Sequence, residues 1–367
     1  TRYNYWGDDD GDGQGINGVT ATGDISVSFT DKDGNTVNRS DTLDICNAPY
    51  KVTLSSTEGY LQTRYGVPNT TYFNNSIVTY YINPYNTVAR VCYARPNLSH
   101  GAIDSFVGPA NIWSRDKGFL VQSTSSSSYG HNFPTTGADG LYFDLLIGGV
   151  DGSQLTWSVV TNGSSITATV TSVTTNESWI PVADIGKIVA RVKLSGPRAD
   201  STQIGSSNPS PFTPLLFLPQ TFELVGRDSQ GNEVRYGFVL KQWFVHRGNK
   251  MDTQSNHSSW CSSLGYRLPQ IKDLTNAKCG VSRNFSCING VDGATPSSSV
   301  NHYMRHIGAG FFTEWGRVGS YADVGFVDSR YWTSDAAGSY GFNVESDYGN
   351  VSNHSARNYR YGLCTAP

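Results

Sequence analysis

Charge is what this chain has least of. Asp, Glu, Lys and Arg make up only 16% of its 367 residues, against about a quarter in an average soluble domain. The net charge is -3 and no basic stripe occurs, so a nucleic-acid partner has no electrostatic footprint here. Helix formers such as Glu, Lys and Met are sparse, which argues against a helical bundle. The longest apolar stretch, Pro214-Leu215-Leu216-Phe217-Leu218-Pro219, falls far short of the roughly 20 residues a membrane-spanning helix needs. A starting Met and a signal-peptide pattern are both missing. The chain therefore reads as a segment of something longer, with any export signal or anchor elsewhere. There is no C-x-x-C pair, which speaks against zinc and thioredoxin-like chemistry. A Gly-x-Ser-x-Gly elbow and a phosphate-cradling loop are also lacking.

Ser, Thr, Asn, Gly and Tyr supply the polarity instead. Aromatic residues reach 12% and tyrosine alone occurs 21 times. That mixture suits β-sheets with wet, Tyr-bearing loops, because Tyr offers large contact area at low entropic cost. Hydrophobic residues at 37% can fill the cores of two to four domains more readily than one large core. The six cysteines, Cys46, Cys92, Cys261, Cys279, Cys287 and Cys364, allow fifteen pairings. Cys46 and Cys92 share an N-terminal β region, and the other four lie in the last third. The expected set is Cys46–Cys92, Cys261–Cys364 and Cys279–Cys287, with buried free thiols as the alternative. A Cys261–Cys364 bridge would tie together the two ends of a domain and contribute roughly 4–5 kcal/mol through loop closure. Such bonds point to an oxidising, exported location.

Residues 1–18 read as a connector. Within it Asp8-x-Asp10-x-Asp12-Gly13 matches the opening of a calcium loop, but the twelfth position is Val19 where an EF-hand needs an acid. A solvated acidic hinge is the competing reading. From residue 19 to 102 strands and turns alternate: Ile25, Val27 and Phe29 share one face, and Ala89-Arg90-Val91-Cys92-Tyr93 closes a small β-sandwich. Residues 103–245 read as a second β domain. In it Thr156–Val160, Asn162-Gly163 and Ile166–Val170 suggest one hairpin, and Thr221–Val225 with Tyr236–Leu240 suggest another. Residues 246–367 change character. Short helices are expected over 256–264 and 269–274, then Gly- and aromatic-rich loops, then strands at Tyr331-Trp332-Thr333, Gly341–Val344 and Tyr361–Cys364. Together these make an α+β module.

Trp260-Cys261 with Leu264-Gly265-Tyr266-Arg267-Leu268-Pro269 resembles the first helix and following strand of a C-type-lectin-like domain. Arg330-Tyr331-Trp332-Thr333-Ser334-Asp335 resembles that fold's tryptophan-bearing core strand. Leu363-Cys364 resembles its last strand, whose cysteine pairs with the one in the first helix. The whole chain is similar to the C-terminal passenger of intimin/invasin-type inverse autotransporter adhesins of Gram-negative bacteria. The resemblance implies a mainly β chain with two immunoglobulin-like β-sandwich domains, then an α+β C-type-lectin-like domain. It also implies exposure on the bacterial cell surface, with anchoring in the outer membrane through a part of the protein missing from this chain. The partner it implies is a host protein receptor, because lectin-like tips of this family often bind proteins. The sequence departs from calcium-dependent sugar-binding lectins. Neither Glu-Pro-Asn nor Gln-Pro-Asp precedes Trp332, and only Asp335 remains of the carboxylates after it. No metal and no cofactor are expected. The alternative function is a calcium-independent glycan-binding module.

Catalysis has little to stand on. His302 and His306 are four apart but lack the Glu of a His-Glu-x-x-His hydrolase. Glu314 and Asp323 would be a glycosidase pair only at a separation the sequence does not set. A binding surface is better supported. Aromatic and Arg residues crowd the last third, and these types dominate interface hot spots. Phe311, Phe312, Trp332 and Phe342 are assigned to core. Trp315, Tyr321, Tyr340, Tyr348, Tyr359 and Arg360 are the ligand-binding candidates, because their Gly, Ser and Asn neighbours place them near turns.

Overall fold

The computed structural model describes residues 20–366 except 65, 85–87, 102–104, 164, 215, 282–286 and 288–290. The 1–18 connector and its Asp8–Asp12 calcium motif lie outside the described residues. The chain divides into two compact units, Thr1–Val88 and Ala89–Pro367.

The first unit contains β1 (Thr20–Ala21), β2 (Ile25–Thr30), β3 (Tyr50–Ser56), β4 (Gly59–Gln62), β5 (Thr70–Phe73) and β6 (Ser76–Ile82). β2, β3 and β6 form one open antiparallel sheet, and β1, β4 and β5 another. Val27, Leu54 and Val78 stand in one row across the first sheet, while Ser28, Thr53 and Thr79 occupy the next row. Alternate residues point to opposite faces of a strand, so one face is apolar and the other carries hydroxyls.

The second unit contains β7 (Arg90–Arg95), β8 (Trp113–Ser114), β9 (Gly118–Leu120), β10 (Thr136–Ala138), β11 (Tyr142–Gly148), β12 (Thr156–Thr161), β13 (Thr167–Thr174) and β14 (Ile188–Ser195). After a short helix α1 (Ser201–Gly205) come β15 (Gln220–Arg227), β16 (Glu233–Leu240) and β17 (Gln242–Asp252). Helices α2 (Gln254–Ser263), α3 (Ile271–Leu274) and α4 (Phe311–Trp315) follow. The chain closes with β18 (Arg330–Ala337), β19 (Tyr340–Glu345), β20 (Val351–Ser355) and β21 (Arg360–Thr365). The sheet β13-β14-β11-β7-β9-β8 faces the sheet β12-β15-β16. Across them Phe143 meets Phe238 edge-on at 5.9 Å and Tyr236 at 6.2 Å. The unit is thus mainly β, with open sheets of the kind found in immunoglobulin-like sandwiches. The third sheet, β10-β17-β21-β18-β19-β20, carries the C-terminal residues.

Three features differ from the sequence reading. β7, expected to close the 19–102 domain, pairs with β11 and β9 inside the second unit. Position 246, expected to begin a separate domain, falls in the middle of β17, and β17 pairs in parallel with β10. Among the described residues, a single hydrophobic cluster runs from Val91 to Ala366 and includes residues on both sides of position 246. The Asn162-Gly163 hairpin does not form: β12 pairs with β15, whereas β13 pairs with β14. The two strands therefore enter different sheets of the sandwich: β12 takes the distant β15 as its partner and β13 takes the next strand, β14. β15 and β16 do pair as the sequence suggested.

Cys261 of α2 is disulfide-bonded to Cys364 of β21 with Cα atoms 5.4 Å apart, and Cys279 to Cys287 at 5.7 Å. Cys46 and Cys92 are each disulfide-bonded as well.

Candidate functional site

The C-terminal sheet is the base on which these residues stand. α2 starts at Thr253, whose hydroxyl accepts from Asn256 N–H, and it is fastened to β21 through the Cys261–Cys364 bond. Trp332 of β18 is fully buried and donates from Nε1 to Asp252 O at 3.1 Å. Phe311, Phe312 and Phe342 are likewise fully buried. Asp335, the carboxylate left over from the lectin comparison, accepts from Ile271 N–H at 2.7 Å. It therefore serves as an anchor for α3. Among the described residues no group of three or more His, Cys, Asp or Glu gathers to hold a metal ion.

Two of the candidate binding residues are core. Trp315 has 0% of its surface exposed. It meets Phe133 edge-on at 4.9 Å, and its Nε1 donates to Thr136 O at 2.9 Å. Tyr321 is also buried; its hydroxyl accepts from Asn97 N–H at 2.8 Å and donates to Trp315 O at 3.3 Å. Their Gly and Ser neighbours do mark turns, but those turns fold back onto the sandwich.

Glu314 and Arg305 serve the same junction. The buried Glu314 carboxylate accepts from the N–H and hydroxyl of both Thr135 and Thr136, and from Gly308 N–H at 2.8 Å. Burial raises its pKa, although these donors oppose the shift. With every lone pair occupied, it is a structural clamp. The fully buried Arg305 guanidinium donates to the carbonyls of Glu314, Asn97 and Ser99 and lies over the Trp113 ring. Gly316, at the end of α4, has φ 71°, and a Cβ there would run into that guanidinium. His302 and His306 share no helix; His302 stacks on Phe106 at 4.0 Å.

The remaining candidates reach the surface but not as one patch. Tyr340, Tyr348 and Tyr359 are 50%, 39% and 60% exposed. Tyr340 opens β19 and Tyr348 lies in the turn beyond its end. They are thus separated by the length of the strand, roughly 3.3 Å per residue. Tyr359 belongs to the turn before β21. Ala356 N–H in that turn donates to Ser339 O at 3.1 Å, which sets the turns bearing Tyr340 and Tyr359 side by side. At the other end the Tyr348 ring lies 4.5 Å from that of His100. His100 Nε2 contacts Asp347 Oδ1 at 2.9 Å, and Arg317 bridges Asp347 at 3.3 Å and Asp328 at 2.7 Å. Sequence reasoning missed His100 and Asp347, since nothing near either residue announces a partner 247 positions away.

Arg360 is half-buried at the start of β21. Its neighbour is Arg330, at the start of β18, because Tyr331 and Tyr361 are parallel partners with rings 5.8 Å apart. His354 of β20 is half-buried too. Its pKa is held below the usual imidazole value, first by burial and then by the charges of Arg360 and Arg330.

No protein-family model matches this chain. No curated protein does either. Among solved structures, that of invasin, described as a bacterial integrin-binding protein, is 13% identical. It aligns over 96% of this chain and 52% of its own, with a TM-score of 0.43. A C-terminal 282-residue fragment of intimin, solved with the intimin-binding domain of the translocated intimin receptor, is 13% identical over 95% of this chain and 87% of its own, at 0.38. An EHEC O157:H7 intimin mutant is 13% identical over 69% and 92%, at 0.34. The chain therefore spans about half the length of the invasin chain it aligns with.

Proposed function

We propose that this chain is the outer part of a bacterial surface adhesin or invasin and that it binds a host protein through its C-terminal residues. In this reading residues 246–367 are a C-type-lectin-like module that rests on an immunoglobulin-like sandwich and shares its core. Attachment to the outer membrane is by a part of the protein outside this chain. The supporting features of the lectin-like assignment are the helix-to-last-strand disulfide, the buried Trp332 on β18 and the pairing of β17 with β21.

The observation that carries the binding reading is the exposure of Tyr340 and Tyr359 on adjacent turns at one end of the C-terminal sheet, with Tyr348 exposed at the other. A large aromatic side chain left in water forgoes roughly 1.5–3 kcal/mol of burial. Tyr340 and Tyr359, on turns that lie side by side, can regain it against one partner at little ordering cost. Tyrosines on turns, with arginine beside them, have the composition of interface hot spots.

The test uses the full chain and a host-cell binding assay. Binding is expected to persist after chelation of divalent cations and after enzymatic deglycosylation of the cells. The paired variant Tyr340→Ser/Tyr359→Ser is expected to bind at least tenfold more weakly, with unchanged circular dichroism and melting. Loss of binding on deglycosylation would replace this reading with the glycan-binding one.

A further inference from the structure

We propose that Arg330 and Arg360 form a recognition site for a carboxylate carried on an acidic segment of the partner, an inference that rests on the protein-binding reading above. Tyr331 and Tyr361 pack together on one face of the sheet. The residues before them, Arg330 and Arg360, therefore project from the opposite face. They do so on neighbouring strands about 4.8 Å apart.

Neither guanidinium forms an ion pair with a described carboxylate, although each has an acid as its strand partner. Asp252, opposite Arg360, is occupied elsewhere: it accepts from Asn256 Nδ2 at 2.6 Å and Thr253 N–H at 2.9 Å and pairs with Arg247 at 3.5 Å. Glu345 stands opposite Arg330; burial raises its pKa and the Arg330 charge opposes that shift, but the two form no ion-pair contact. Arg360 Nη1 donates to Tyr359 O at 2.8 Å, and its Nε is buried with no acceptor.

Burial lowers the Arg360 pKa first, and Arg330 lowers it further.

Two guanidinium groups side by side, with no described carboxylate in ion-pair contact with either, repel each other until an anion arrives. A carboxylate fits their fork geometry. An extended polyanion is a poorer match. It gains affinity from many phosphate- or sulfate-like contacts, and this chain has no basic stripe and a net charge of -3.

The experiment is fluorescence anisotropy on the full chain with a labelled, capped peptide of alternating Glu and Asp. Its Gln/Asn counterpart and a labelled heparin-derived octasaccharide form the other arms. Saturable binding of the acidic peptide is expected, with none of the Gln/Asn peptide. Arg330→Gln and Arg360→Gln should each weaken binding at least tenfold, and Arg360→Lys by less. Arg317→Gln, at a guanidinium already paired with Asp328 and Asp347, should leave binding unchanged. Melting curves identify any variant that has lost its fold, and Arg360→Lys then supplies the comparison. Peptide binding indifferent to both Gln substitutions, or binding of the octasaccharide alone, would overturn the site. Host-cell binding of Arg330→Gln/Arg360→Gln is measured alongside. If the double variant loses the peptide but still binds host protein normally, the inference falls and the protein-binding reading stands. If the peptide binds through these arginines and no host protein is captured by the parent chain, the site stands and the reading beneath it falls.

Discussion

His246 and His257 show how far single residues have been committed to the neutral interior. His246 is nearly buried, with Nε2 against Val324 O at 2.9 Å, and its Nδ1 accepts from Gly248 N–H at 3.0 Å. His257 is fully buried, with Nε2 against Arg360 O at 2.9 Å and Nδ1 unpartnered. A second proton would displace the Gly248 donor in one ring and create an unsatisfied donor in the other. Burial accordingly depresses both pKa values to about 4. In the unfolded chain histidine titrates near 6.5, so the unfolded state binds protons first as pH falls. The stabilising contribution is complete above about 6.5 and is lost as pH falls towards 4. Between pH 7 and 4.5 denaturant unfolding should lose about 2 kcal/mol for each histidine. Ring resonances that titrate above pH 6 in the folded protein would contradict this. Both residues were visible in the sequence, but their depth was not.

Among the elements, α4 is the clearest case of structure imposed by packing. Five residues are far too few for an independent helix. What holds them is the set of contacts each side chain makes: Phe311 stacks on Phe244 at 4.4 Å, Glu314 is clamped by Thr135 and Thr136, and Trp315 is wedged against Phe133. Trp315→Ala should therefore cost about 3–5 kcal/mol of stability, measured by chemical denaturation. A loss of binding without a loss of stability would return Trp315 to the surface. The β12–β13 turn teaches the same lesson. Asn-Gly between two apolar runs signals a hairpin, yet β12 and β13 enter different sheets. Whether the two strands pair depends on β14 and β15, which the local pattern does not contain. The β15–β16 hairpin was legible because its partners are consecutive and no distant strand competes for the same edges.

For the whole second unit, the junction between the sandwich and the C-terminal sheet behaves as core. A fragment of residues 246–367 would split β17, expose Trp315 and leave Glu314 and Arg305 without their Thr135, Thr136 and Asn97 partners. Removing partners from buried charges costs about 3–5 kcal/mol each, which is comparable with a domain's total stability. The fragment 246–367 should be unfolded or aggregated, whereas 89–367 should give a cooperative melt. A well-dispersed NMR spectrum from the shorter fragment would refute this.

Composition and local pattern were enough to establish a mainly β chain with short helices late in the sequence, because strand alternation, turn chemistry and charge scarcity are properties of consecutive residues. They also marked tyrosines beside turns as surface residues, and for Tyr340, Tyr348 and Tyr359 the turns do face water. Tyr321 has the same kind of neighbours but is covered by Asn97, 224 residues away. The pairing of Arg330 with Arg360 likewise depends on a parallel contact between strands 30 positions apart. Burial and convergence are set by which distant segments pack together, and only the tertiary structure decided them.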